Sequence, residues 1–133
     1  GIQLNAGDGT DGGIHATSTG NTLSNPASGV PPLYGGHPTS GTTAGNNQVN
    51  CLDLRTNTLA GSGVAANSGF DVRLRQRFLT TVRLPGYAGA NTDNTAVATF
   101  VQANNAGAPT VSATNNVAGG GFGFVGGAGC TLP

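Results

Sequence analysis

The chain has 133 residues, zero formal net charge and only 8% charged residues. That balance lacks the basic footprint a nucleic-acid partner requires, and no apolar run is long enough to insert in a bilayer. With 24 glycines and 36% hydrophobic residues, one domain with a thin core is expected, so backbone ladders and a covalent staple must carry much of the stability.

All five bases are Arg and all five acids are Asp; Lys, Glu, Met and Trp are absent. Three of the best helix formers are therefore missing, while abundant Thr, Asn and Gly suit strands and tight corners. Without lysine, no Lys–Asn isopeptide staple can form. The chain opens in mid-pattern at Gly1-Ile2, so a processed product or a C-terminal piece of something larger is expected.

Residues 1–25 carry related phrases. Gly1-Ile2-Gln3-Leu4 is echoed by Gly13-Ile14-His15-Ala16, and Gly20-Asn21-Thr22-Leu23 recurs as Thr56-Asn57-Thr58-Leu59. Short strands with Gly and Asn corners predict β-helix-like edge coils, in which like residues stack from one coil to the next. Ile2 and Leu4 lie on the expected assembly strand. Residues 26–50, with Pro26, Pro31, Pro32 and Pro38 among Gly, Ser and Thr, read as a loop. O-glycosylation of the Ser and Thr there is open on composition.

Residues 51–133 form the expected β-rich body with a Gly-rich tail. Cys51-Leu52-Asp53-Leu54 reads as a short strand. In Phe70 to Phe78 the apolar residues Phe70, Val72, Leu74 and Phe78 alternate with Asp71, Arg73, Arg75 and Arg77, the period of a strand with one buried face. Joined to Leu79 to Leu84, it predicts a central hairpin over 70–84, ended by Pro85-Gly86. Asn91-Thr92-Asp93 reads as a helix cap, Val97, Phe100 and Val101 as one apolar stripe, and Asn104 to Gly107 as the stop. One short helix over about 93–105 is expected. Thr110 to Thr114 reads as a further strand. The fold class is thus mainly β, a β-helix-like or sandwich-like body with a central hairpin and one helix, closed by a disulfide. The Cys51–Cys130 bridge is the preferred reading of the two cysteines, two buried free thiols being the alternative.

Arg73, Arg75 and Arg77 share one strand face, with Arg83 expected opposite on the neighbouring strand. Arginine forks match carboxylates and sulfates, so this face is the candidate for acidic glycan or for subunit contacts. A solvated face balanced by Asp53 and Asp71 is the plainer reading. Tyr34 and Tyr87 would assist a glycan. Asp8 and Asp11 in Gly7 to Gly12 are the calcium candidates, but a third carboxylate is missing and a plain turn is preferred. His15 and His37 are isolated, and no nucleophile elbow or carboxylate pair stands out. No catalytic activity and no cofactor are expected.

The order Cys51-Leu52-Asp53-Leu54, FDVRLRQRF, TTVRLPGY, AVATFVQANN and a Gly-rich tail with Cys130 resembles the C-terminal region of very large secreted bacterial β-strand-repeat proteins, of the right-handed parallel β-helix type. The resemblance covers most of the chain and is most specific from Cys51 to Asn105. It implies an extracellular or cell-surface protein with a structural or adhesive role and no catalytic residues to carry over. Exposed strand edges invite pairing with another chain, and a contact that does not close generates a filament. The expected function is a secreted structural subunit that assembles with copies of itself, with extracellular polysaccharide as the other candidate partner. A carbohydrate-binding or adhesive module of a larger surface protein is the alternative.

Overall fold

Every strand pairing among the described residues is parallel. The computed structural model describes residues 2–5, 13–24, 34–37, 49–60, 70–76, 80–115, 123–127 and 130–132. Parallel neighbours cannot be joined by a tight turn and require a long crossover. Here the crossover is a whole coil. The first coil runs through β1 (Ile2–Asn5), β2 (His15–Thr19) and β3 (Thr22–Ser24). The second runs through β4 (Tyr34–His37), β5 (Val49–Arg55) and β6 (Thr58–Ala60). The third holds β7 (Val72–Arg75), β8 (Thr81–Leu84) and the helix α1 (Asn94–Ala103), and the last holds β9 (Val111–Thr114) and β10 (Gly123–Gly126).

These strands stack into three sheets, ordered β1-β4-β7-β9, β10-β8-β5-β2 and β3-β6. An isolated parallel bridge from Thr58 to Ala106 carries the third sheet into the third coil. The chain visits the three sheets in turn, which is a parallel β-helix. Of the two bodies that the sequence left open, the coil topology selects this one over a sandwich.

Side chains alternate into a narrow core, as the period of two requires. Val72 and Leu74 of β7, Val82 and Leu84 of β8, Leu52 and Leu54 of β5, Leu59 of β6 and Phe124 of β10 are buried together. The recurrent Asn-Thr-Leu phrase stacks as expected, with Thr22 on Thr58 and Leu23 on Leu59. The Gly1 and Gly13 phrases do not stack on one another. β1 pairs with β4 and β2 with β5, in different sheets.

The hairpin expected over 70–84 is absent. β7 pairs with β4 and β9, whereas β8 pairs with β5 and β10. The two runs lie either side of a coil corner, where buried Gln76 donates from Nε2 to the Thr80 carbonyl at 2.8 Å. Tyr34–His37, inside the stretch expected as loop, is β4.

Helix α1 begins where Asp93 Oδ1 accepts from the Ala96 amide at 2.9 Å and ends at Asn104, inside the expected bounds. It packs beside β9, the last strand of its sheet, and Val97 and Val101 enter the core shared with Phe124. Phe100 meets Tyr87 edge-on, with ring centroids 5.6 Å apart.

Candidate functional site

The first coil supplies an edge strand to all three sheets at the same end of the molecule: among the described residues β1, β2 and β3 each have one partner, β4, β5 and β6. The sequence placed its assembly strand here, and Ile2 and Leu4 do lie in edge strand β1. At the opposite end β9 and β10 each have one partner among the described residues, and α1 packs beside β9 with Val97 and Val101 in the core. The two ends are therefore chemically different.

A column of asparagines runs through the corner between the second and third sheets. Asn57 Oδ1 accepts from the Asn21 amide at 3.1 Å and from Asn21 Nδ2 at 2.9 Å. One coil further on, Asn105 Oδ1 accepts in the same way from the Asn57 amide at 3.0 Å and from Asn57 Nδ2 at 2.9 Å. Each lower rung also reaches back. Asn57 Nδ2 donates to the Ser18 carbonyl at 2.8 Å, and Asn105 Nδ2 donates to the Leu54 carbonyl at 3.0 Å. Asn57 is 1% exposed and Asn105 8%. Buried amides of this kind need every partner they have. In the first two coils a left-handed residue precedes the asparagine, Gly20 at φ 69° and Thr56 at φ 58°, whereas Asn104 precedes Asn105 at φ −96° at the end of α1.

The outer face of the second sheet carries the staple. Cys51 and Cys130 form a disulfide with Cα atoms 5.7 Å apart, which points to a non-reducing setting. The Thr131 carbonyl lies 2.8 Å from His15 Nδ1. His15, Cys51, Arg83 and Val125 stand in one register row. On β5, the Asp53 carboxylate accepts from Arg55, and this hydrogen bond and its charge hold the Arg55 guanidinium above its ordinary range. Asp53 was expected to balance the arginine strand, but its carboxylate is bonded by Arg55 of its own strand. Asp71 is buried and accepts from the Thr110 amide at 2.7 Å and hydroxyl at 2.9 Å, clasping one coil to the next.

The arginine face divides between sheets. Arg73 and Arg75 are half-exposed on β7, in register with Ser112 and Thr114 of β9. Arg83 lies on β8 in the second sheet, so it does not oppose them. Arg77, Asp8 and Asp11 lie outside the described residues. Tyr87 is buried and its hydroxyl donates to the Ala90 carbonyl at 2.8 Å, so it is not offered to a glycan. Tyr34 lies in β4.

Among the described residues no group of three or more His, Cys, Asp or Glu could hold a metal ion. No helix among them is long and apolar enough to cross a membrane. No protein-family model, curated protein or solved structure matches the chain.

The asparagine column is the feature the sequence only half revealed. The repeated phrase singled out Asn21 and Asn57, but Asn105 was read only as a helix stop. Its signal was its position: Asn105-Ala106 follows α1 as Asn57-Thr58 follows β5.

Proposed function

We propose that this chain is a structural unit of an extracellular or cell-surface protein, and that it acts by stacking a further β-helical coil on its N-terminal end. The observation that carries this reading is that β1, β2 and β3 are edge strands of all three sheets at one end. An unpaired strand edge is a template for another strand. Three such edges around one core offer a complete coil-sized surface. The Cys51–Cys130 bridge supports the extracellular setting. The resemblance of Cys51 to Asn105 to large secreted β-strand-repeat surface proteins points the same way.

Two arrangements would use this end. In one, copies stack head to tail into a filament. In the other, the unit terminates a longer β-helix of a surface protein. The second does not require an open C-terminal end, where α1 packs beside β9.

Hydrogen exchange tests the reading. Amides of β2 and β3 should exchange readily in the isolated chain and as slowly as those of β5 and β6 in native assembled material. Equally fast exchange of β2 and β3 in that material would overturn it.

A second reading, an adhesive face for acidic polysaccharide, draws on Arg73 and Arg75 beside Ser112 and Thr114 on one outer strand pair. The double variant Arg73→Ala and Arg75→Ala should then lose retention on a sulfated or uronate polymer. Unchanged retention would remove this reading while leaving the stacking end untouched.

A further inference from the structure

The asparagine column has a direction, and that direction identifies the occupant of the open end. Each rung does two things. Its Oδ1 accepts the amide and Nδ2 of the rung before it, and its Nδ2 reaches back to a carbonyl of the coil before it. Asn105, the last rung, is complete. Its Oδ1 takes both donors of Asn57, its Nδ2 serves Leu54 and also the Val101 carbonyl of α1 at 2.8 Å, and its amide is held by Gln102. The helix ends the column there.

Asn21, the first rung, is incomplete in both respects. Its Oδ1 accepts from no donor among the described residues. Its Nδ2 reaches no carbonyl of an earlier coil among the described residues; it donates within its own coil to Ser18 Oγ at 3.2 Å and to the Thr19 carbonyl at 3.3 Å, the latter as Asn57 Nδ2 donates to the Arg55 carbonyl at 3.2 Å. What Asn21 lacks is the reaching-back bond, 2.8 Å at Asn57 and 3.0 Å at Asn105. Asn21 thus has the environment of an interior rung with the preceding rung removed.

Resting on the stacking-end reading above, we infer that the N-terminal end receives a further parallel coil with an asparagine at this same corner. That coil runs on into β1 as the first coil runs on into the second. It would donate its corner amide and Nδ2 to Asn21 Oδ1 and accept Asn21 Nδ2 at the carbonyl that corresponds to Ser18 O. A second copy of this chain does not fit. Among the described residues, the corner column of its C-terminal end closes at Asn105, whose donors are all engaged. Its N-terminal end presents another Asn21, whose amide is already spent on Asn57 and which brings at most one further hydrogen. Two donors per oxygen is the interior pattern, and neither end of a copy supplies it.

The test adds a coil to the whole chain. A tandem copy of residues 1–33 is placed ahead of residue 1, either unchanged or with its copy of Asn21 replaced by Ala. The unchanged extension should raise Tm above that of the Ala extension by about 4–8 °C, the shift that a lost pair of buried hydrogen bonds produces in a small domain. Side-chain amide protons of Asn21 should exchange more slowly in it than in the unextended chain. Equal Tm and equal Asn21 exchange in the two extensions would overturn the inference, while leaving the stacking end intact if both added coils are protected from proteolysis. An added coil that stays protease-sensitive in both would overturn the stacking end as well. Concentration-dependent self-association of the unextended chain that Asn21→Ala abolishes would also overturn the inference, because a second copy would then be the partner.

Discussion

Replacing Asn57 with Ala removes the middle of the asparagine column, and its cost follows from the bonds it makes. Five contacts disappear: two donated by Asn21 to Oδ1, and those from Nδ2 to the Ser18 carbonyl, the Arg55 carbonyl and Asn105 Oδ1. Asn105 Oδ1 keeps the backbone amide of residue 57, so it is not orphaned. The Ser18 carbonyl and the Asn21 amide do lose a partner in a corner that solvent barely reaches. A net hydrogen bond is worth about 0.5–1.5 kcal/mol, and an orphaned buried group costs about 1–3 kcal/mol. The expected loss for Asn57→Ala is therefore about 3–5 kcal/mol. Asn21→Ala removes only the terminal Nδ2 contacts, leaves Asn57 Oδ1 with the backbone amide of residue 21, and should cost about 1 kcal/mol. Asn57→Asp keeps the shape but sets a carboxylate against the Ser18 carbonyl and Asn105 Oδ1, both acceptors, and should cost at least as much as Ala. Urea unfolding at neutral pH with a common m-value measures all three. Equal losses for Asn57→Ala and Asn21→Ala, or less than about 1 kcal/mol for the former, would refute the interior-versus-end distinction.

Three further outcomes are expected. Cys51 and Cys130 are 79 residues apart, and a loop of that length corresponds to about 4–5 kcal/mol of chain entropy. The double Ala variant should lose much of that in chemical denaturation, and an unchanged midpoint would refute the staple's role. Burial first, and the charge of Asp93 second, hold the Tyr87 phenol above its ordinary value of 10.0. The folded chain keeps that proton where the unfolded chain has lost it, so the stabilisation is complete below about pH 10 and disappears as pH rises through the folded value. Tyr87→Phe should flatten this alkaline decline while costing about 0.5–1.5 kcal/mol at neutral pH for the bond to Ala90; an equally steep decline in the variant would contradict the assignment. A Cβ on Gly13 would lie 1.7 Å from the Val49 carbonyl oxygen. Gly13→Ala should therefore force the first coil off the second and cost at least about 1–3 kcal/mol, read as faster exchange in β2; wild-type stability would show that the two coils are not held as described.

Much of the strand content was legible, and most of the pairing was not. Val72 and Leu74 alternate with Arg73 and Arg75, and the structure buries the former pair and leaves the latter half-exposed. That period reports which face is wet but not which strand lies alongside. Two adjacent alternating runs therefore read as a hairpin, whereas a β-helix corner sends consecutive strands into different sheets. Tyr34–His37 escaped notice because Gly35 and Gly36 have no side chains to alternate and prolines flank the stretch. The Asn-Thr-Leu phrase was the most informative signal, since identical residues stacking on one another is what a repeated coil requires. Asn105 was concealed because α1 is inserted between β8 and its corner, stretching the 36-residue step from Asn21 to Asn57 into the 48-residue step from Asn57 to Asn105. Tyr87 was misjudged because an aromatic beside Pro85-Gly86 looks exposed in sequence, and only the helix packed over it shows otherwise.

Cryo-electron microscopy of native assembled material tests the central claim most directly. The account predicts density for a further coil in register on β1, β2 and β3, with an amide side chain over Asn21 and no coil stacked beyond α1. Assembly contacts made through α1, β9 and β10, with the first coil's edges left bare, would contradict it.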